Sequence, residues 1–81
     1  MINLEAKTKL SRKEVVERLK TFFGTGGLGL ELCEDTSQCL SFEGGGGHVT
    51  ATLSTEGSQT VITLVTQEWD YQVRKFAASL P

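Results

Sequence analysis

Residues 39 to 66, CLSFEGGGGHVTATLSTEGSQTVITLVT, constrain this chain more than any other stretch. They read as three β-strands joined by two tight turns. Gly44 to Gly47 would join Leu40–Glu43 to His48–Ser54, and Glu56-Gly57 would join that strand to Thr60–Thr66. Gly-Gly and Glu-Gly pairs supply the positive φ that hairpin turns need. With Gly45-Gly46 at the centre of the first turn, Phe42 faces Val49 and Leu40 faces Ala51. With Glu56-Gly57 at the centre of the second, Val49 faces Leu64 and Ala51 faces Ile62. Side chains alternate with period two, so both registers gather the apolar residues on one face. The other face then carries the rows Ser41–Thr50–Thr63 and Cys39–Thr52–Val61.

The flanks supply the rest of the fold. Ile2, Leu4 and Ala6 alternate with Asn3, Glu5 and Lys7, which predicts a half-buried first strand. Ser11-Arg-Lys-Glu14 is a capping box, and Val15, Leu19, Phe22 and Phe23 follow at helical spacing up to Gly24. The spacing predicts a helix over Arg12 to Phe23. Leu28, Leu30 and Leu32 alternate with Gly29, Glu31 and Cys33, predicting a second strand, and a polar turn over 34–38 leads into the three-strand stretch. After Thr66, which can cap a helix, Trp69, Val73, Phe76, Ala77 and Leu80 form one helical stripe. Burying Trp69, Val73, Phe76 and Leu80 stabilises by about 1.5–3 kcal/mol each. The predicted order is β-α-β-β-β-β-α, a two-layer α+β domain over 1–81 with an antiparallel sheet and both helices on one face.

Length and charge narrow the function classes. Eighty-one residues suffice for one domain with one modest core. No apolar run approaches the roughly 20 residues of a membrane span, and no secretory leader pattern is read at the N-terminus. A cytoplasmic protein is expected. Two cysteines are too few for a disulfide scaffold. The net charge of −2 is unevenly spread. Six of the eight basic residues lie in the first twenty positions, and none lies between Thr21 and Val73. That acidic middle argues against nucleic acid lying on the sheet, whereas the first helix could meet an anion.

The motifs that carry chemistry elsewhere lack their context here. Gly24-Thr-Gly26-Gly-Leu-Gly29 matches G-x-G-x-x-G. A dinucleotide site needs a strand before that run and a helix after it; this chain reverses the order. Cys33, Cys39 and His48 share one outward face by alternation, but the spacing C-x5-C-x8-H fits no common zinc motif. A Cys39–His48 nucleophile pair has no third group to orient it. No metal, cofactor or catalytic residue is assigned, and an enzyme is the least favoured class. Cys33 and Cys39 could lie opposite each other across the polar turn, with free thiols expected in a reducing compartment.

The element order resembles a reduced helix-grip domain of the Bet v1/START (SRPBCC) type. That resemblance implies a sheet that grips the C-terminal helix and holds an apolar ligand between them. Trp69, Phe76 and Phe42 would then line the ligand site. It also implies a first strand beside the last one. This chain is shorter than such domains and has one helix in the long crossover instead of two. Cystatin-like folds share the same order of elements, with the first strand beside the second.

Two functions are carried forward. One is a non-catalytic binding or oligomerising module. The other is a small apolar-ligand carrier of helix-grip type. For the first, the uncharged rows of the second sheet face, with Thr50, Thr52, Val61 and Thr63, suit a homodimer interface. Tyr71, about opposite Trp69 on the helical wheel, is a further candidate interface residue.

Overall fold

Pairing of the sheet starts from the turn at Gly45-Gly46. A computed structural model of the chain describes residues 2–36 and 38–81. The strands are β1 (Ile2–Thr8), β2 (Glu31–Asp35), β3 (Cys39–Gly44), β4 (Gly47–Glu56) and β5 (Gln59–Gln67). The helices are α1 (Arg12–Phe23) and α2 (Asp70–Ser79). The five strands form one antiparallel sheet in the order β1-β5-β4-β3-β2. The observed fold is α+β, in the predicted order of elements. β1 lies beside β5, the last strand, with Leu4 against Leu64 and Ala6 against Ile62.

The first hairpin has the expected register, with Phe42 opposite Val49 and Leu40 opposite Ala51. Gly45 and Gly46 both have positive φ, 59° and 82°, as a type I′ turn demands. The second hairpin differs from expectation. Its turn centres on Gly57-Ser58, so Val49 faces Thr66, Ala51 faces Leu64 and Leu53 faces Ile62. The reason is turn type: Gly57 alone has positive φ, 61°, and a type II′ turn puts glycine at the first central position. Moving the turn centre by one residue moves each partner by two. The faces are therefore unchanged, since side-chain direction repeats every two residues.

The second strand also differs. Leu28 and Leu30 precede β2 and do not belong to it. The backbone of 24–30 turns back onto the end of α1: Leu28 N–H donates to Phe22 O, and Leu30 N–H to Phe23 O, at 3.0 and 2.9 Å. Gly24, Gly27 and Gly29 N–H groups are likewise bonded within this wrap. Four amides of the G-x-G-x-x-G run, those of Gly24, Gly27, Leu28 and Gly29, are thus taken up by the carbonyls of Lys20, Phe22 and Gly24, and these four are not free to meet a phosphate. A Cβ on Gly27 would collide with the carbonyl oxygens of Phe22 and Thr21. β2 itself is exposed throughout and carries a bulge between Leu32 and Glu34. The polar turn starts later than expected, because Asp35 still pairs with Leu40. Ser37, within that turn, lies outside the described residues.

Both helices cover the face of the sheet that carries Leu40, Phe42, Val49, Ala51, Ile62 and Leu64, all fully buried. Val15, Leu19 and Phe23 of α1, Val73 and Phe76 of α2, and Leu30 and Leu53 complete the core. Aromatic rings bridge the layers. Phe23 lies 5.7 Å from Phe42 and 5.5 Å from Phe76, centroid to centroid. Ser11 caps α1 as its sequence requires, accepting from Glu14 N–H at 3.2 Å while its hydroxyl donates to the Glu14 carboxylate. Thr66 does not cap α2. It lies inside β5, buried, and its hydroxyl donates to His48 O at 2.7 Å. Buried Thr8 and Thr60 are similarly satisfied, by Pro81 O and Leu10 O.

Candidate functional site

Apolar side chains left in water mark where to look for a binding surface. Among the described residues the large exposed ones are Leu28, Leu32 and Tyr71, at 37%, 37% and 70% exposure. Two of the three, Leu28 and Tyr71, line the same open groove of about 640 Å³. It runs between α1 and α2 and is closed at one side by the glycine-rich wrap, through Gly26 and Gly27. Phe22 and Phe76 form its floor, 5.5 Å apart and edge to face. Arg18 and Lys75 stand on its walls with Glu17.

Each helix builds this groove in the same way. Arg18 and Phe22 lie four residues apart on α1, and Tyr71 and Lys75 four residues apart on α2. Four residues is one helical turn, so each helix aligns one cation with one aromatic along one face. Phe22 and Phe76 face the groove because they sit at the inter-helix seam, where neither Leu19 nor Val73 reaches the surface.

The expected ligand residues lie elsewhere, with one exception. Phe42 is fully buried beneath Phe23. Trp69 is half-buried at the start of α2, where its indole N–H donates to Gly44 O at 3.0 Å. Its ring lies against Gly45, so that a Cβ there would come within 2.7 Å of the ring. The four-glycine run therefore gives Trp69 a socket as well as giving the chain a turn. Phe76, 2% exposed, links the core to the groove floor. Tyr71, expected at an interface, stands in the groove wall. Leu28 was not legible as a site residue, because alternation assigned it to a strand.

The second sheet face is laid out in shifted rows. Ser41–Thr50–Val65 and Cys39–Thr52–Thr63 are the central ones, and Ser54–Val61 follows. Thr52 is exposed, Thr50 and Thr63 are half-buried, and Val61 is only 6% exposed. Lys7, the β1 partner of Val61, reaches across β5 to Glu56 at 3.4 Å.

The cysteines do not meet. Cys33 sits at the β2 bulge, while Cys39 bonds Thr36 through both its N–H and its carbonyl. Both thiols are free. Although Cys33 is exposed, desolvation and the negative charges of Glu43 and Glu31 hold its thiol above the usual range, and its S–H donates to Glu31 O at 3.6 Å. That disfavours the thiolate a nucleophile needs. Among the described residues no group of three or more His, Cys, Asp and Glu side chains is arranged to hold a metal ion. Among them too, no helix is long and apolar enough to cross a membrane. No protein-family model and no curated protein matches this chain.

Proposed function

We propose that this chain is a non-catalytic binding module whose binding surface is the groove between α1 and α2. One observation carries the reading. Two of the three large exposed apolar side chains converge on a groove whose floor is two aromatic rings. Its volume falls in the roughly 300–1,000 Å³ range of small-ligand sites. Chemical-shift mapping with a library of small aromatic and aliphatic compounds tests it. Shifts should cluster on Phe22, Leu28, Tyr71 and Phe76, and Tyr71→Asp should abolish them. A library without a single binder would end the reading.

The helix-grip carrier is the second reading. The position of β1 beside β5 favours it over the cystatin-like arrangement. In that reading the ligand lies between the sheet and α2, so α2 must lift to admit it past Phe42 and Phe76. Shifts centred on Trp69 and Phe42 in the same experiment would favour this carrier.

The oligomerising arm of the proposal rests on the uncharged centre of the second sheet face. Sheets of two copies would stack about 10 Å apart about a two-fold axis. Thr52 and Thr63 are direct cross-strand partners, so Thr52→Lys with Thr63→Glu installs a compatible pair within one chain. The pair should abolish concentration-dependent sedimentation. A wild type that sediments as a monomer at every concentration removes this arm.

A further inference from the structure

The groove is charged as well as apolar, and its charge selects among ligands. α1 carries four basic and two acidic residues, and α2 two basic and one acidic. The helix layer is thus +3 in a chain of net −2, which leaves −5 on everything else. An anion approaching this molecule is drawn to the helix side and repelled from the sheet side. Within the groove Arg18 and Lys75 face one acid, Glu17. Elsewhere Lys7 is paired with Glu56 and Lys20 with Asp35, at 3.4 and 2.8 Å. Among the described residues no carboxylate lies within 4 Å of Arg18 or Lys75, and both are exposed.

We infer that the ligand of this groove is a small anionic amphiphile. Its apolar body lies on Phe22 and Phe76 between Leu28 and Tyr71, and its carboxylate, sulfonate or phosphate is attracted by Arg18 and Lys75. The inference rests on the groove being the binding surface. Two cations suit one acid group and are too few for a polyanion, which needs a phosphate-tracking row of them.

A matched pair of fluorescent probes separates the two claims. 1-Anilinonaphthalene-8-sulfonate and N-phenyl-1-naphthylamine share an aryl body, and only the first is anionic. At low salt the wild type should bind the sulfonate about tenfold more tightly, a preference of about 1.4 kcal/mol that two exposed charge contacts share. Arg18→Gln with Lys75→Gln should erase that preference and leave the affinity for the neutral probe unchanged. Added salt should do the same. Leu28→Asp should weaken both probes. Equal binding of both, lost together in Leu28→Asp, overturns the anion inference and leaves the apolar groove standing. No binding of either overturns both claims. Binding to phosphatidylglycerol vesicles without binding of the free probes also overturns the inference, in favour of a membrane surface. Circular dichroism melts of each variant confirm that the fold is retained.

Discussion

The contact between Trp69 and Gly45 can be measured by comparing two adjacent glycines. Gly45 and Gly46 have similar left-handed conformations, φ 59° and 82°. An alanine at either is strained by about 1–2 kcal/mol, partly offset by about 0.4–1 kcal/mol from the restricted unfolded chain. Their surroundings differ. A Cβ on Gly46 meets nothing within 4 Å, whereas one on Gly45 comes within 2.7 Å of Trp69 Cζ2 and 3.3 Å of Cη2. The ring cannot simply retreat, since its N–H is held by Gly44 O. Overpacking of this kind costs about 1–3 kcal/mol. Gly46→Ala should therefore destabilise by about 1 kcal/mol, and Gly45→Ala by a further 1–3 or so. Urea unfolding followed by far-ultraviolet circular dichroism reads both. The excess should vanish in a Trp69→Ala background, where no ring remains to collide with, so the double-mutant cycle isolates the contact. Equal costs for the two glycines in the wild type, or an excess that survives Trp69→Ala, would refute the argument.

Other outcomes follow from the same geometry. Removing residues 68–81 strips Val73 and Phe76 from the core, about 1.5–3 kcal/mol each before cavity effects. The truncated chain should lose its cooperative thermal transition, and a sharp melt would contradict this. Iodoacetamide should modify Cys33 slowly at neutral pH, with a rate that climbs only above the usual thiol range. Desolvation is the main cause and the charges of Glu43 and Glu31 add to it, so Glu43→Gln should shift the alkylation profile part of the way to lower pH. An unchanged profile would remove Glu43 as a cause.

What was legible in the sequence was periodic. The alternation in β3, β4 and β5 and the stripes of both helices determine which face is buried, and the capping box at Ser11 marks where α1 starts. The sequence puts the second turn at Glu56-Gly57, one residue before its observed centre, because glycine suits either central position, depending on the turn type. The one-residue difference leaves the faces intact and changes which threonines are neighbours. Leu28 lies outside β2 for a different reason. Leucine alternation over 28–32 mimics a strand, but Gly27 and Gly29 let the chain fold back onto the carbonyls of α1, and hydrogen bonding outweighed the pattern. The groove depends on that wrap and on the seam between two helices remote in sequence. No local spacing reports either.

The placement of β1 beside β5 has a kinetic consequence. The β3–β4–β5 meander forms from neighbouring segments, each hairpin closing over two residues. β1 must wait for its partner from the far end of the chain, since Ile2 pairs with Thr66 and Thr8 with Thr60. Long-range pairing carries its loop-closure entropy before its contacts repay it. The transition state for folding is therefore expected to contain the meander without β1. Leu64→Ala should slow refolding, while Leu4→Ala should leave refolding nearly unchanged and speed unfolding. If both substitutions slow refolding alike, β1 docks early. If β1 does dock last, it will also be the strand that detaches first, and the edge of β5 will be the first backbone that the native protein opens to solvent.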